Sequence, residues 1–139
     1  DALCAQVEAE GAALLKNDNA ALPLASGAKV SLFGHGSVDL MYGGTGSGSV
    51  DTSKAPSFKQ ALESQGITVN ETLWNLYSSD DMMKNYSRVT PAAISDTLEA
   101  NTQYAVNEAP WSKLSGAESS FAEYGDAAIV VLSRWRRGR

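Results

Sequence analysis

Apolar and polar positions alternate with two different periods along the chain. Leu3, Val7, Gly11, Leu14 and Leu15 recur at helical spacing, which predicts an amphipathic helix over residues 1–16. Lys16-Asn17-Asp18-Asn19 ends it, and Leu22-Pro23-Leu24 crosses to the next element. Lys29-Val30-Ser31-Leu32-Phe33 is rich in β-formers and closed by Gly34, the pattern of a strand. Residues 34–53 are rich in glycine and serine and read as one long loop. Loops of that length in a compact domain are usually functional or disordered. Pro56 opens a helix through Phe58 and Leu62 that Gly66 stops, and Ile67-Thr68-Val69 reads as a second strand. Leu73, Leu76 and Tyr77 form one face of a further helix.

The pattern weakens beyond Asp80. Thr90-Pro91 has the form of an N-cap followed by proline at the first helical position, but Asn101 to Pro110 has no clear period. Ser115 and Glu118 have capping-box spacing ahead of Phe121 and Tyr124. Ala127 to Leu132 is continuously apolar, as expected of a strand buried on both faces.

Helices alternating with short apolar strands predict an α/β fold, a three-layer sandwich around a mostly parallel sheet. Three strands are visible, whereas sheets commonly have about four to six. No helix follows the most apolar strand. The expected architecture is therefore an incomplete, truncated domain spanning residues 1–139.

Composition narrows the function. The net charge of -5 and the 19% of charged residues argue against a nucleic-acid partner, which normally meets a basic face. The basic cluster Arg134, Arg136, Arg137 and Arg139 is confined to the last six residues. The single cysteine, Cys4, leaves no internal disulfide and no Cys/His metal cluster to propose, and its apolar helical setting predicts a buried, inert thiol. No apolar run approaches the roughly 18 residues that span a bilayer. No membrane partner and no cofactor are expected. Without a leader the cytoplasm is the favoured compartment, although a signal ahead of Asp1 stays open.

Gly34-His35-Gly36-Ser37-Val38-Asp39 follows a strand like the start of a dinucleotide fingerprint. Asp39 replaces its third glycine, however, and would repel a pyrophosphate. Residues 43–49 have the glycine spacing of a phosphate loop without its lysine. Large apolar groups flank these glycines, Met41 and Tyr42 on one side and Val50 on the other, which favours a shaped, ligand-facing loop over a linker. His35, the only histidine, reads as a hydrogen-bonded structural residue. Asp80 and Asp81 read as a solvated helix end. Trp74 and Trp111 could stack on a sugar ring, though partial burial is the commoner fate of tryptophan.

Several segments, in order, resemble the C-terminal domain of family 3 glycoside hydrolases. Glu10-Gly11-Ala12-Ala13-Leu14-Leu15-Lys16-Asn17 followed by Leu22-Pro23-Leu24 is similar to the family's EGxVLLKN…LPL passage out of the barrel domain. Gly34-His35-Gly36-Ser37 and then Tyr42-Gly43-Gly44-Thr45-Gly46-Ser47-Gly48-Ser49-Val50 resemble its strand and GGxGSGxV loop. Tyr124-Gly125-Asp126 running into Ala127–Leu132 resembles DxxIVVxG.

The resemblance implies retaining hydrolysis of β-linked glucosides or related sugars. That chemistry uses two carboxyl groups about 5–5.5 Å apart. It places the nucleophilic Asp in an N-terminal barrel that this chain lacks, and the acid/base Glu in a GEGxD-like loop after the last strand. Here that loop reads Ser133-Arg134-Trp135-Arg136-Arg137-Gly138-Arg139, without a Glu. No catalytic residue is therefore named in the chain. The resemblance leaves Tyr42, Gly43, Thr45 and Ser47 as candidate substrate-binding residues.

The expected function is that of a fragment of a β-glucosidase-like enzyme, inactive alone, with a β-linked glycoside and the missing barrel as the parent's partners. The alternative is a stand-alone carbohydrate- or protein-binding module. An uncovered terminal strand also predicts self-association of the fragment.

Overall fold

The computed structural model describes residues 2–42, 51–89 and 105–132. Its centre is a three-stranded parallel sheet in the order β2-β1-β5. In the middle lies β1 (Lys29–Phe33), flanked by β2 (Thr68–Val69) and β5 (Ala127–Val130). Val30 stands beside Val69 on one side and Ala127 on the other, and the pairing with β5 runs on to Phe33 beside Val130. The predicted α/β fold with parallel strands is thus present. Separately, β3 (Arg88–Val89) pairs antiparallel with β4 (Ala105–Val106).

Alternation along β1 sets the layers. Val30 and Leu32, fully buried, share one face with Val69, Ala127 and Ile129. Against that face pack Phe58 and Leu62 of α2 (Phe58–Ser64). Ser31 and Phe33 point the other way, towards α3 (Glu71–Tyr77) and two 3-10 segments, Trp111–Lys113 and Ser115–Ser120. Leu73, Tyr77, Leu114 and Ala117 form the core of that second layer with Met82 of α4 (Asp80–Asn85).

Side-chain caps explain why these short helices start where they do. Ser57 and Gln60 form a reciprocal capping box on α2, with hydrogen bonds of 3.2 and 2.8 Å. Asn70 caps α3 and Ser79 caps α4. Asp80 and Asp81 are exposed in the first turn of α4, as the sequence suggests, where their charge suits the helix N-terminus.

Four expectations fail locally. The first helix, α1 (Ala2–Gly11), stops at Gly11 and does not reach residue 16. Glycine is a poor helix residue because of its backbone entropy. No residue of α1 is buried, and its apolar Leu3 and Val7 are largely exposed. For the same reason Cys4 is exposed and not buried.

Ser115 does not form a capping box. Leu114 ahead of it holds helical φ and ψ of -91° and -3°, whereas a capping residue needs extended backbone. The 3-10 path runs straight on, and the Ser115 hydroxyl donates back to the Ser112 carbonyl at 3.3 Å. Finally, β5 is not buried on both faces. It is the outer strand of this sheet, and Val130 remains 60% exposed. The Thr90-Pro91 cap and the arginine-rich tail lie outside the described residues. Among the described residues no helix is long and apolar enough to cross a membrane.

Candidate functional site

Parallel α/β sheets bind ligands at the carboxyl ends of their strands. All three strands run the same way, and at their carboxyl ends Gly34, which follows β1, abuts Val131, which follows β5. The Gly34 φ of +89° lies in the region that favours glycine, and a Cβ would sit 2.5 Å from the Val131 carbonyl oxygen. Only glycine lets the ends of β1 and β5 approach this closely.

Side chains hold the turn that follows. The Gly34 N–H donates to the Tyr77 hydroxyl at 3.1 Å, and the His35 N–H donates to the Glu108 carboxylate at 2.8 Å. The Ser37 hydroxyl donates to the Gly34 carbonyl at 2.8 Å. Burial pushes the Tyr77 phenol above its ordinary pKa. The Gly34 N–H opposes that rise, and the Glu108 charge adds to it.

His35 is 1% exposed, with Nε2 3.2 Å from an Asp39 carboxylate oxygen. Nδ1 has no hydrogen-bond partner among the described residues. The Ser37 hydroxyl is turned to backbone, so no Ser-His-Asp relay forms. His35 is built into the turn, in agreement with the structural role read from the sequence.

Beside this turn lies an open groove of about 410 Å3, lined by Phe33, Trp111, Val130 and Leu132 and also by Tyr77 and Glu108. Trp111 is 59% exposed, with its ring beside two others. It stacks on Phe33 at 6.2 Å and 19° and leans on Phe121 at 6.0 Å. Phe33 and Phe121 meet edge to face at 5.4 Å. Trp74, by contrast, is partly buried against the sheet core.

A buried polar knot braces the same layer. Asn70, with no exposure, accepts from the Leu73 N–H and donates to the hydroxyls of Ser31 at 3.1 Å and Ser120 at 2.8 Å. Those hydroxyls donate on to the carbonyls of Tyr124 and Ala117. The knot ties β1, α3 and the 115–120 segment into one body.

Of the residues proposed from the sequence for substrate contact, Tyr42 is exposed and its hydroxyl donates to the Pro56 carbonyl at 2.6 Å. Gly43, Thr45 and Ser47 lie outside the described residues. Tyr77 and Glu108 were missed as neighbours of the turn. Tyr77 reads only as helix face, and Glu108 falls in the stretch without a period. Among the described residues no group of three or more His, Cys, Asp or Glu could hold a metal ion.

An open parallel α/β sheet with a glycine turn and an aromatic groove at its carboxyl end defines a class of architecture, and sequence similarity adds a direction. Over 135 residues, 96% of its length, the chain is 30% identical to β-glucosidase A of Butyrivibrio fibrisolvens. It spans 15% of the length of that protein. The relationship is β-glucosidase-like. No protein-family profile matches the chain, and no solved structure matches it.

Proposed function

We propose that the chain is a section of a retaining family 3 glycoside hydrolase, from the first part of its C-terminal α/β domain. The carrying observation is the similarity to β-glucosidase A across nearly the whole chain. The parallel sheet supports it, and so do the segments Glu10–Asn17, Gly34–Ser37 and Tyr42–Val50, which resemble the family in order.

In this reading the substrate is a β-linked glycoside and the catalytic carboxylates belong to other parts of the enzyme. The nucleophile comes from a barrel domain. The chain contributes the loop after β1, with Tyr42, Gly43, Thr45 and Ser47 near the sugar, carried on a sheet end that Gly34, Tyr77 and Glu108 make rigid.

Hydrolysis of an aryl β-glucoside is the test. The 139-residue chain alone should release no phenol above background, and the longer enzyme containing it should turn over. Turnover by the pure chain, abolished by a substitution within it, overturns the reading. So does a longer protein that hydrolyses no glycoside.

A further inference from the structure

We propose that Asn70 is a concealed acceptor for an N-linked oligosaccharide, open to transfer only before the chain folds, and that a glycan there keeps α3 and the 115–120 segment from closing on the sheet. The inference stands apart from the glycosidase reading.

The pattern Asn-x-Ser/Thr, with x other than proline, is the acceptor signal for N-linked glycans. The chain carries it twice, as Asn70-Glu71-Thr72 and Asn85-Tyr86-Ser87. The fold treats the two in opposite ways. Asn85 ends α4 on the surface, where its amide donates to the carbonyl and the carboxylate of Asp81 at 3.0 and 2.8 Å. Asn70 has no exposure, and further chain packed on this layer would only bury it more deeply.

Transfer joins the Asn70 Nδ2 to the anomeric carbon of a lipid diphosphate-linked oligosaccharide. The bond from that carbon to the diphosphate oxygen breaks, the lipid diphosphate leaves with the electron pair, and the amide gives up one proton. Nδ2 then keeps one N–H. The folded chain uses two, towards Ser31 at 3.1 Å and Ser120 at 2.8 Å, so at least one hydroxyl in a buried layer loses its donor. The sugar also has nowhere to go. Ser31, Leu73 and Ala117 around the knot are 3% exposed or less, and close-packed interiors hold no void the size of a sugar ring.

Sequence order leaves the acceptor open at first. Ser120 lies 50 residues beyond Asn70, so the knot is incomplete when Asn70 is made. Transfer in that state and folding are alternatives.

The test exports the full chain behind a secretion signal from a eukaryotic host, which supplies the lipid-linked donor, and also makes it in a bacterial cytosol free of that donor. Peptide N-glycosidase leaves an aspartate at each modified asparagine, and peptide mass mapping then reads occupancy. Soluble chain from the secretory host should carry glycan at Asn85 and none at Asn70, whereas the insoluble fraction should carry it at Asn70. Thr72→Ala removes the signal at an exposed position and leaves Asn70 in place. It should raise the soluble yield several-fold in the secretory host and leave yield and melting temperature unchanged in the cytosol. Thr72→Ser, which keeps the signal, should behave like the parent chain in both hosts.

Folded, soluble chain with a glycan on Asn70 overturns the proposal. So does an unchanged secreted yield for Thr72→Ala, which means that Asn70 is never modified or that its glycan does no harm. An equal gain from Thr72→Ala in the cytosol shows an effect of Thr72 itself, and overturns it too.

Discussion

Replacing Asn70 by alanine removes three hydrogen bonds at one stroke. Two are amide donations to Ser31 and Ser120, and the third is the cap on the Leu73 N–H. Loss of an N-cap costs about 1 kcal/mol. Each neutral side-chain hydrogen bond adds about 1 kcal/mol, and more where a buried partner is left unpaired. The total is about 3 kcal/mol, which for a chain of this size lowers the melting temperature by about 10 °C.

Urea unfolding followed by tryptophan fluorescence measures the effect, with the dependence on denaturant unchanged if the fold persists. Ser120→Ala alone should cost about 1 kcal/mol, and the pair should be non-additive by a similar amount because the two share a bond. A loss below about 1 kcal/mol for Asn70→Ala, or strict additivity, would refute the view that this knot joins the sheet to α3.

Gly34→Ala should destabilise by at least about 1–3 kcal/mol from backbone strain alone. By pushing on the Val131 carbonyl it should also speed hydrogen exchange at the Val131 amide, which now donates to the Phe33 carbonyl at 2.9 Å. Unchanged stability and exchange would contradict the close approach of β1 and β5. For Tyr77, a folded-state pKa raised above the unfolded value stabilises the neutral form. Its contribution is therefore complete below about pH 10 and lost as pH rises through the raised value. Tyr77→Phe should cost about 1 kcal/mol at neutral pH and flatten the alkaline decline in stability, and an equally steep decline would count against a buried phenol.

The helices and strands near the glycines and caps were legible because local chemistry decides them. Lys29–Phe33, the helix stopped at Gly66, the Leu73/Tyr77 face and the final strand all follow from period and punctuation. What could not be read was decided at long range. Cys4 and Leu3 look like core by pattern, but exposure depends on whether another element packs there. The Ser115–Glu118 spacing fits a cap, yet the backbone entering from Leu114 is already helical. Glu108 and Tyr77 reach the β1 turn from 73 and 43 residues away, a separation no local window can see.

The register of the sheet also dictates an order of events during synthesis. β1 meets β2 about one helix later, but the hydrogen bond from the Lys29 N–H to Asp126 spans 97 residues. Chains emerge at about 5–20 residues per second, so β1 waits several seconds for the strand that completes its second side. Until then the backbone edge of β1 facing β5 is open, and distant pairings of this kind are slow to close. The nascent chain is most vulnerable to wrong pairing in that interval, between the making of Phe33 and of Val130. A pause in translation inside it would prolong the exposure.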